Sequence, residues 1–385
     1  MINDAGRDPG VDVLRAVAMA GVVGGHWLVT GLVVGPDGVL RPESPLTAVP
    51  ALSPVTWVLE TLGLFFFAGG FAAAVSAGRR GDCRAPGAGV RPGPVPTGRL
   101  VGGAVRLVPT KLSRPLAALV AAWTVALAIA AAAGVPAGTL TTVALLVASP
   151  LWFLLPYLAL RAVTGPLIRI VDRAGPGILP AAGVAVVAAD DLGLLPGWTA
   201  VLAAWSVPWT LGVAMARGRL GGRRAGVVGA RRAGALLLGA GVLAGAALVL
   251  GAGYPASAVG VPGAARSNLN PPSLFAVALA VAQIGIFLLV RERLAGIRPG
   301  RVVTAVNRAA LPVYLGHQSV LIAVTGVVAL VAPRAPGLLT APDGPGWVLA
   351  RVAWLPLFAA VLVTVVRGGT IRSGGRCRGA PVQKR

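Results

Sequence analysis

The sequence predicts an all-α polytopic membrane protein with about ten transmembrane helices. Apolar residues make up 56% of the 385 residues, charged residues make up only 12%, and the mean hydropathy is +0.81. A soluble protein of this length needs more charge to cover its surface. Long apolar runs recur along the whole chain and leave little room for a soluble domain, so we predict one integral membrane domain over residues 1–370.

The individual helices are predicted from apolar runs that are long enough to cross a bilayer. In chain order, the predicted spans are 11–34, 53–77, 113–133, 141–163, 176–190, 194–216, 233–253, 273–290, 309–331 and 347–366. The first run is too long for a cleavable signal peptide, so we predict that it stays as an uncleaved anchor. The fifth run is short for a full span, and Pro176 and the acidic pair Asp190 and Asp191 bound it.

The basic residues predict the orientation of the chain. All but four of the 34 Lys and Arg lie in alternate segments, which include both termini. The four exceptions are Arg41, Arg266, Arg334 and Arg351. Because cytoplasmic loops retain basic residues, we predict a multi-pass plasma-membrane protein with both termini in the cytoplasm. A nucleic-acid-binding protein would need the net charge of +22 on one folded surface, so that class is excluded.

Two predicted cytoplasmic segments are rich in basic residues. One is the Pro- and Gly-rich loop at 79–111, and the other is the tail at 371–385. Within the loop, residues 99–112 are basic and apolar at roughly helical spacing, as in a helix that lies along a membrane interface. Topology alone explains this charge; alternatively, the stretch receives a polyanionic cytosolic donor such as a nucleotide or coenzyme A. The candidate donor contacts are Arg106, Lys111 and Arg114.

The first span, DVLRAVAMAGVVGGHWLVTG, carries two ionisable residues that favour a catalytic role. Arg15 and His26 are eleven residues apart. On a helix this spacing gives both side chains nearly the same direction, roughly 16 Å apart along the axis. Ionisable groups in a membrane usually face a bundle interior or a wet cavity, and histidine can act as a general base near neutral pH. The structural alternative is that Arg15 snorkels to the interface and His26 bonds to a neighbouring helix.

The second span, PVTWVLETLGLFFFAGGFAAA, adds a carboxylate. Glu60 is predicted roughly 10 Å from the outer face, close to the depth of His26. A buried carboxylate can fix the tautomer of a histidine and raise its basicity. Alternatively, Glu60 is neutral and bonds to a polar side chain. The Phe and Gly residues that follow it are predicted to be structural, with the glycines allowing close helix contact.

These motifs resemble the membrane acyltransferase 3 family. The likeness begins in the first span, where ten residues separate the arginine from the histidine, and in the stretch LFFFAGGFAAA of the second span. It continues in LWFLLPYLAL, RSNLNPPSLFAVALAVAQIGIFLL and LPVYLGHQSVLI, and it covers residues 8–366.

The resemblance implies an O-acyltransferase. Such a protein takes an acyl group, acetyl or another short chain, from cytosolic acyl-coenzyme A and transfers it to a hydroxyl of a glycan or other acceptor. The donor is a co-substrate and no cofactor is permanently bound. The resemblance also implies that Arg15 and His26 are essential. Arg15 would engage the donor, and His26 would deprotonate the hydroxyl or briefly carry the acyl group. The role of Glu60 is a hypothesis from the residues alone.

Polar residues elsewhere are candidates for acceptor binding. Ser267, Asn268 and Asn270 lie in a predicted outer segment, where they either cap a loop or line the mouth that receives the acceptor. His317 in the ninth span is either a second acid or base beside the acceptor, or it donates to a backbone carbonyl. We favour a supporting role for it.

A transporter or flippase of a glycan or lipid is the alternative from another functional class. It would need neither acyl-coenzyme A nor His26, and the lack of a convincing internal repeat weakens it. An inactive family member is a third possibility, which the presence of both Arg15 and His26 disfavours. No metal site is predicted, because Cys83 and Cys377 have no metal-ligand spacing.

Overall fold

The computed structural model describes residues 8–82, 110–220, 226–296 and 300–374. This part of the chain is mostly helical and has almost no sheet. Strands β1 (Gly31–Val34) and β2 (Leu40–Glu43) pair as one antiparallel hairpin. The helices are α1 Pro9–Val29, α2 Pro45–Ala48, α3 Thr56–Leu59, α4 Leu62–Asp82, α5 Thr110–Ala132, α6 Ala137–Ala148, α7 Leu154–Ala162, α8 Thr164–Ala174, α9 Ile178–Asp191, α10 Trp198–Ala216, α11 Gly226–Gly251, α12 Leu274–Ala295, α13 Arg301–Arg308, α14 Ala310–Val331 and α15 Pro345–Gly374.

The prediction of an all-α polytopic membrane protein is confirmed. Nine helical segments of the described residues are long and apolar enough to cross a membrane, and the bent pair α8 and α9 can supply a tenth. Large apolar side chains on their surfaces are exposed, such as Leu250 at 86% and Leu330 at 84%. Helices whose outer faces carry such side chains suit a lipid environment.

The fifth predicted span, 176–190, is helical, but the residues before it form a helix that the prediction lacks. It corresponds to α9, and the preceding residues, predicted as a cytoplasmic segment, form α8 at an angle of 113° to it. The chain turns at Gly175, whose φ is 88°. Pro176 follows, and proline cannot continue a helix because it lacks the backbone N–H.

The first predicted span, 11–34, is partly wrong at its end. Helix α1 ends at Val29, and residues 31–34 form β1. An apolar, β-branched run such as Val33–Val34 suits a strand as well as a helix, so hydropathy alone does not separate the two. The turn of the hairpin is closed by Asp37 and Arg41. Hydrogen bonding from the Arg41 guanidinium lowers the pKa of the Asp37 carboxyl to about 2.

The second predicted span, 53–77, is interrupted at Glu60. A 3₁₀ turn at Pro50–Val55 leads into α3, and α4 begins two residues after Glu60. The Gln283 side chain on α12 donates through Nε2 to the carbonyls of Trp57 and Glu60, at 2.8 Å each. These bonds satisfy backbone groups that the break leaves free, which a membrane interior requires.

The chain packs as two compact units, each built from three separate segments. Unit 1 comprises Met1–Val22, Pro50–Ser113 and Leu151–Thr304. Unit 2 comprises Val23–Val49, Arg114–Pro150 and Ala305–Arg385. The first part of α1 therefore belongs to unit 1 and its last part to unit 2.

The core of unit 1 forms where α4 packs against α10. Phe66 and Phe67 of α4 are fully buried. A Cβ at Gly70 would collide with the carbonyl of Trp209, and a Cβ at Gly212 would collide with that of Phe67. The two backbones touch because both positions are glycine, so the prediction that the Phe and Gly residues of the second span are structural is confirmed.

Asp191 at the end of α9 joins three elements of unit 1. Its Oδ1 pairs with Nη2 of Arg266 at 2.8 Å. Its Oδ2 accepts from the Tyr254 hydroxyl at 2.7 Å and from the backbone N–H of Leu274 at 2.8 Å. The guanidinium of Arg266 also lies 3.8 Å from the ring centroid of Tyr254. This carboxylate therefore anchors the segment between α11 and α12.

We expect Asp191→Ala to destabilise the protein by about 2 kcal/mol, because it removes one ion pair and two hydrogen bonds and leaves partly buried donors unsatisfied. The measurement is the melting temperature of the purified protein in detergent. Asp37→Ala is the control, since it removes an exposed ion pair in the hairpin and should leave the melting temperature unchanged. An equal melting temperature for Asp191→Ala and wild type would show that the contacts of this carboxylate carry no net stability.

Candidate active site

Helix α1 carries both ionisable residues of the first span. It is helical throughout Pro9–Val29, so the condition for Arg15 and His26 to share one face of it is met. Asp8 accepts from the backbone N–H at Val11 at 3.2 Å and pairs with Arg291 of α12 at 2.6 Å. These contacts hold the start of α1 in unit 1, where Arg15 lies; His26 belongs to unit 2.

In unit 2, His26 faces polar side chains of α14. The centroid of its ring lies 5.1 Å from that of His317. Its Nδ1 lies 3.1 Å from Nε2 of Gln318. The two histidines of the chain, far apart in sequence, are therefore neighbours. We call His26, His317 and Gln318 the imidazole cluster.

The hydrogen bonds of His317 define where its proton lies. Its Nδ1 is 2.6 Å from the carbonyl oxygen of Tyr314, so Nδ1 carries the hydrogen and donates it. The lone pair of the neutral ring is then on Nε2. That atom is buried and has no hydrogen-bond partner among the described residues. His317 thus makes the backbone contact predicted for a supporting role, and it also keeps a free acceptor atom.

Gln318 determines which nitrogen of His26 is free. With the amide nitrogen facing Nδ1, Nδ1 accepts the bond and the hydrogen of the neutral ring is on Nε2. Rotation of the amide would turn Oε1, which is buried and unpartnered within the described chain, towards Nδ1. Nδ1 would then donate, and Nε2 would carry the lone pair that a base requires. His26 is partly exposed, whereas His317 and Gln318 are buried.

Neighbouring side chains hold the imidazole cluster in place. The indole N–H of Trp27 donates to the carbonyl of His317 at 2.9 Å, and the Trp27 ring packs on Phe358 of α15 with centroids 5.4 Å apart. The Tyr314 hydroxyl donates to the carbonyl of Pro150. Helix α14 is therefore tied to α1, α15 and the end of the α6 segment. Such support keeps functional side chains in a defined geometry.

Unit 1 contains a cavity of about 250 Å³ between α4, α7 and α8. Small residues of α4, which are glycine, alanine and Ser76, form one wall, and the polar groups on the other wall include Tyr157 and Arg161. The positive charges of Arg15 and Arg161 both act on the Tyr157 hydroxyl. Arg15 is partly exposed and has no hydrogen-bond or ion-pair partner in the described part of the chain. The cavity is thus lined by small residues on one wall and carries the positive charge of Arg161 on the other.

Glu60 lies at the break between α3 and α4. Its Oε1 accepts from the backbone N–H of Leu62 at 3.1 Å, at the start of α4. This side-chain oxygen satisfies a backbone N–H that the first turn of the helix leaves free. The orienting role that we predicted for Glu60 towards His26 stays a prediction.

Of the residues predicted for acceptor binding in the outer segment, Ser267 and Asn268 use their side-chain polar atoms locally, whereas Asn270 is exposed. Asn268 is fully buried, donates to two backbone carbonyls at 2.7 and 2.8 Å, and accepts from the Ser273 hydroxyl at 2.7 Å. The hydroxyl oxygen of Ser267 accepts from the backbone N–H of Asn270 at 3.1 Å. These are the contacts of loop capping. Acceptor binding by these residues stays a prediction.

Of the three predicted donor contacts, the structure describes only the side chain of Arg114. Arg106 lies outside the described residues, and so does most of the loop at 79–111 and of the tail at 371–385. Lys111 is in α5, but its side chain also lies outside the described part. Arg114 is described and is exposed near the start of α5. Their role towards the donor stays a prediction.

Comparison with known proteins identifies the family. The family model for acyltransferase 3, described as an acyltransferase domain, matches residues 8–367. No curated protein and no solved structure matches the chain. The family match spans nearly the whole chain and includes Arg15, His26, Glu60 and His317. The chain therefore belongs to the acyltransferase 3 family and is a membrane acyltransferase that transfers groups other than amino-acyl groups.

Proposed function

We propose that this protein moves a short acyl group, acetyl in the simplest case, from cytosolic acyl-coenzyme A to a hydroxyl of a glycan-like acceptor. It would act in the plasma membrane with both termini in the cytoplasm. The observation that carries the proposal is the imidazole cluster. A hydroxyl must lose its proton during transfer, and imidazole is the side chain suited to take it near neutral pH. His26 is partly exposed, and Nε2 of His317 beside it is an acceptor that no described residue uses.

The cavity of unit 1 supports a coenzyme A donor. Coenzyme A combines a polyanionic head with a long thin arm. The head would lie near the cations Arg15 and Arg161, and the arm would lie along the glycine and alanine wall of α4. Arg15 suits this role because no described residue already uses its guanidinium.

Two reaction routes are consistent with the proposed transfer. In the direct route, the acceptor oxygen attacks the thioester carbonyl while an imidazole nitrogen takes the hydroxyl proton. The C–O bond forms, the C–S bond breaks, and the imidazolium returns the proton to the coenzyme A thiolate. In the covalent route, the lone pair of His26 Nε2 attacks the thioester carbonyl, the N–C bond forms, the C–S bond breaks and coenzyme A leaves as the thiolate. The acceptor oxygen then attacks the acyl-imidazole, the C–O bond forms, the N–C bond breaks, and the hydroxyl proton passes to the thiolate.

A flippase remains the second candidate because two spans are interrupted. The break at Glu60 and the bend of 113° between α8 and α9 resemble the discontinuous helices of transporters. Movement of a glycan or lipid would require neither an acyl donor nor a base, so a transfer assay separates the two functions.

The proposal predicts saturable transfer of label from acetyl-coenzyme A to glycoside hydroxyls in membranes that contain this protein. Arg15→Gln should raise the KM for acetyl-coenzyme A about tenfold, the effect of one lost charge-assisted contact. The matched control is Arg173→Gln, an exposed arginine at the end of α8, which should leave the KM unchanged. Movement of a glycan or lipid in proteoliposomes without donor, together with no labelled acceptor, would establish the flippase instead.

A further inference from the structure

Arg351 in α15 is a buried cation that has no counter-ion among the described residues. Its exposed fraction is 0%. The sequence of unit 2 holds three acidic residues, Asp37, Glu43 and Asp343, and all three are exposed. Within the described residues Arg351 makes no ion pair. A charge in this setting is normally paired, because removing it from water is costly.

The contacts of Arg351 satisfy only part of its guanidinium. Nη2 donates to the carbonyl of Thr30 at the end of α1. The guanidinium carbon lies 4.8 Å from the Trp347 ring centroid and 5.7 Å from that of Phe358. Nε and Nη1 are buried and have no partner among the described residues. Three N–H donors of a permanently charged group are therefore unused.

The side chains and backbone around Arg351 do not replace an anion. Two aromatic faces and the negative end of the α1 dipole offset part of the positive charge. Neither supplies a hydrogen-bond acceptor to Nε or Nη1. An oxyanion with several lone pairs would satisfy both.

The position of Arg351 relates it to the imidazole cluster. The backbone N–H of Thr30 donates to the carbonyl of His26 at 3.1 Å, so these residues are one helical turn apart on α1, roughly 6 Å along its axis. Phe358, which lies beside the guanidinium, also packs on Trp27, and Trp27 bonds to the carbonyl of His317. Phe358 and Trp27 thus connect the guanidinium of Arg351 to the imidazole cluster within unit 2.

We propose that Arg351 binds an anionic group of the acceptor, a carboxylate or a phosphate, about one sugar ring away from the hydroxyl that is acylated. This inference rests on the proposed function and adds the substrate class: an acidic or phosphorylated glycan. The segment between α14 and α15 packs directly on Arg351, since a Cβ at Gly337 would lie 2.7 Å from the backbone nitrogen of Arg351. Because Arg351 is fully buried, binding of the acceptor there would require this segment to move aside.

The first test measures anion binding without catalysis. Purified full-length protein in detergent is heated with sodium glucuronate, sodium phosphate or glucose, each at an ionic strength matched with sodium chloride. We expect glucuronate or phosphate to raise the melting temperature of wild type, because a ligand that binds the folded state stabilises it. Glucose should not raise the melting temperature. The salt that does raise it shows whether the site binds a carboxylate or a phosphate. Arg351→Gln should abolish the shift, and Arg334→Gln, an exposed arginine of the covering segment, should retain it.

The second test measures specificity in acetyl transfer to methyl glucuronide and to neutral methyl glucoside, or to the corresponding sugar phosphate if phosphate responds. Arg351→Gln should raise the KM for the anionic acceptor at least tenfold and leave the neutral acceptor unchanged. Arg351→Lys, which keeps the charge, should show a smaller rise.

Two outcomes would overturn the inference: no anion stabilises wild type beyond chloride, or Arg351→Gln impairs both acceptors equally, which would assign Arg351 to capping α1. If an anion stabilises wild type through Arg351 but no acetyl transfer occurs, the anion site stands and the transferase proposal fails.

Discussion

Replacing His26 with alanine should reduce acyl transfer roughly 10³-fold, because removal of a general base or acyl carrier costs about two to four powers of ten. The protein should still accumulate in the membrane, since the described hydrogen bond of the His26 ring is the single one to Gln318. The measurement is transfer of label from acetyl-coenzyme A, normalised to the amount of protein. His317→Ala is the companion variant, and we expect a smaller loss of about tenfold from it.

The two variants separate the roles of the imidazoles. If His26→Ala labels acceptor as fast as wild type does, His26 has no part in the chemistry. If His317→Ala is instead the inactive variant, the unpartnered Nε2 of His317 is the base. A rapid quench without acceptor then separates the two routes, because label that stays on wild type and is absent from His26→Ala identifies an acyl-histidine intermediate.

Much of the fold could be predicted because the membrane imposes a simple rule on composition. A span needs a sustained apolar run, and such runs predicted the number and order of the helices. Hydropathy does not report hydrogen bonds, however. It therefore missed the break at Glu60, which depends on Gln283 from a distant helix, and the strand at 31–34, whose residues suit either structure. These details depend on tertiary partners that no local pattern shows.

The candidate site could be predicted where it uses residue types that are rare in this sequence. A histidine is conspicuous in an apolar helix when the chain has only two, and Arg15 stood at helical spacing from it. Gln318 and Arg351 gave no comparable signal. An uncharged amide next to a histidine is unexceptional, and Arg351 was counted only as one of four basic residues on the outer side. Their importance arises from burial and from missing partners, which appear only when distant helices are packed together.

Gln318→Leu should lower kcat roughly 10²-fold and leave the KM for acetyl-coenzyme A unchanged, because Gln318 acts on His26 and is not predicted to contact the donor. Leucine has nearly the volume of glutamine but cannot hold either tautomer of the imidazole, and loss of the correct tautomer is known to be costly in histidine-dependent catalysis. Gln318→Glu should restore most of the rate, since its carboxylate accepts from Nδ1 and leaves the lone pair on Nε2.

The control for this experiment is Gln283→Leu, which makes the same substitution at a glutamine that supports the helix break. It should lower the melting temperature with little effect on the kcat of the protein that remains folded. A purely structural Gln318 would behave in the same way: its leucine variant would lose stability, and glutamate, a charge buried in the same apolar place, would be worse than leucine. Rescue by glutamate is therefore the result that assigns Gln318 to positioning His26, and failure of rescue would leave the orientation of His26 to other groups.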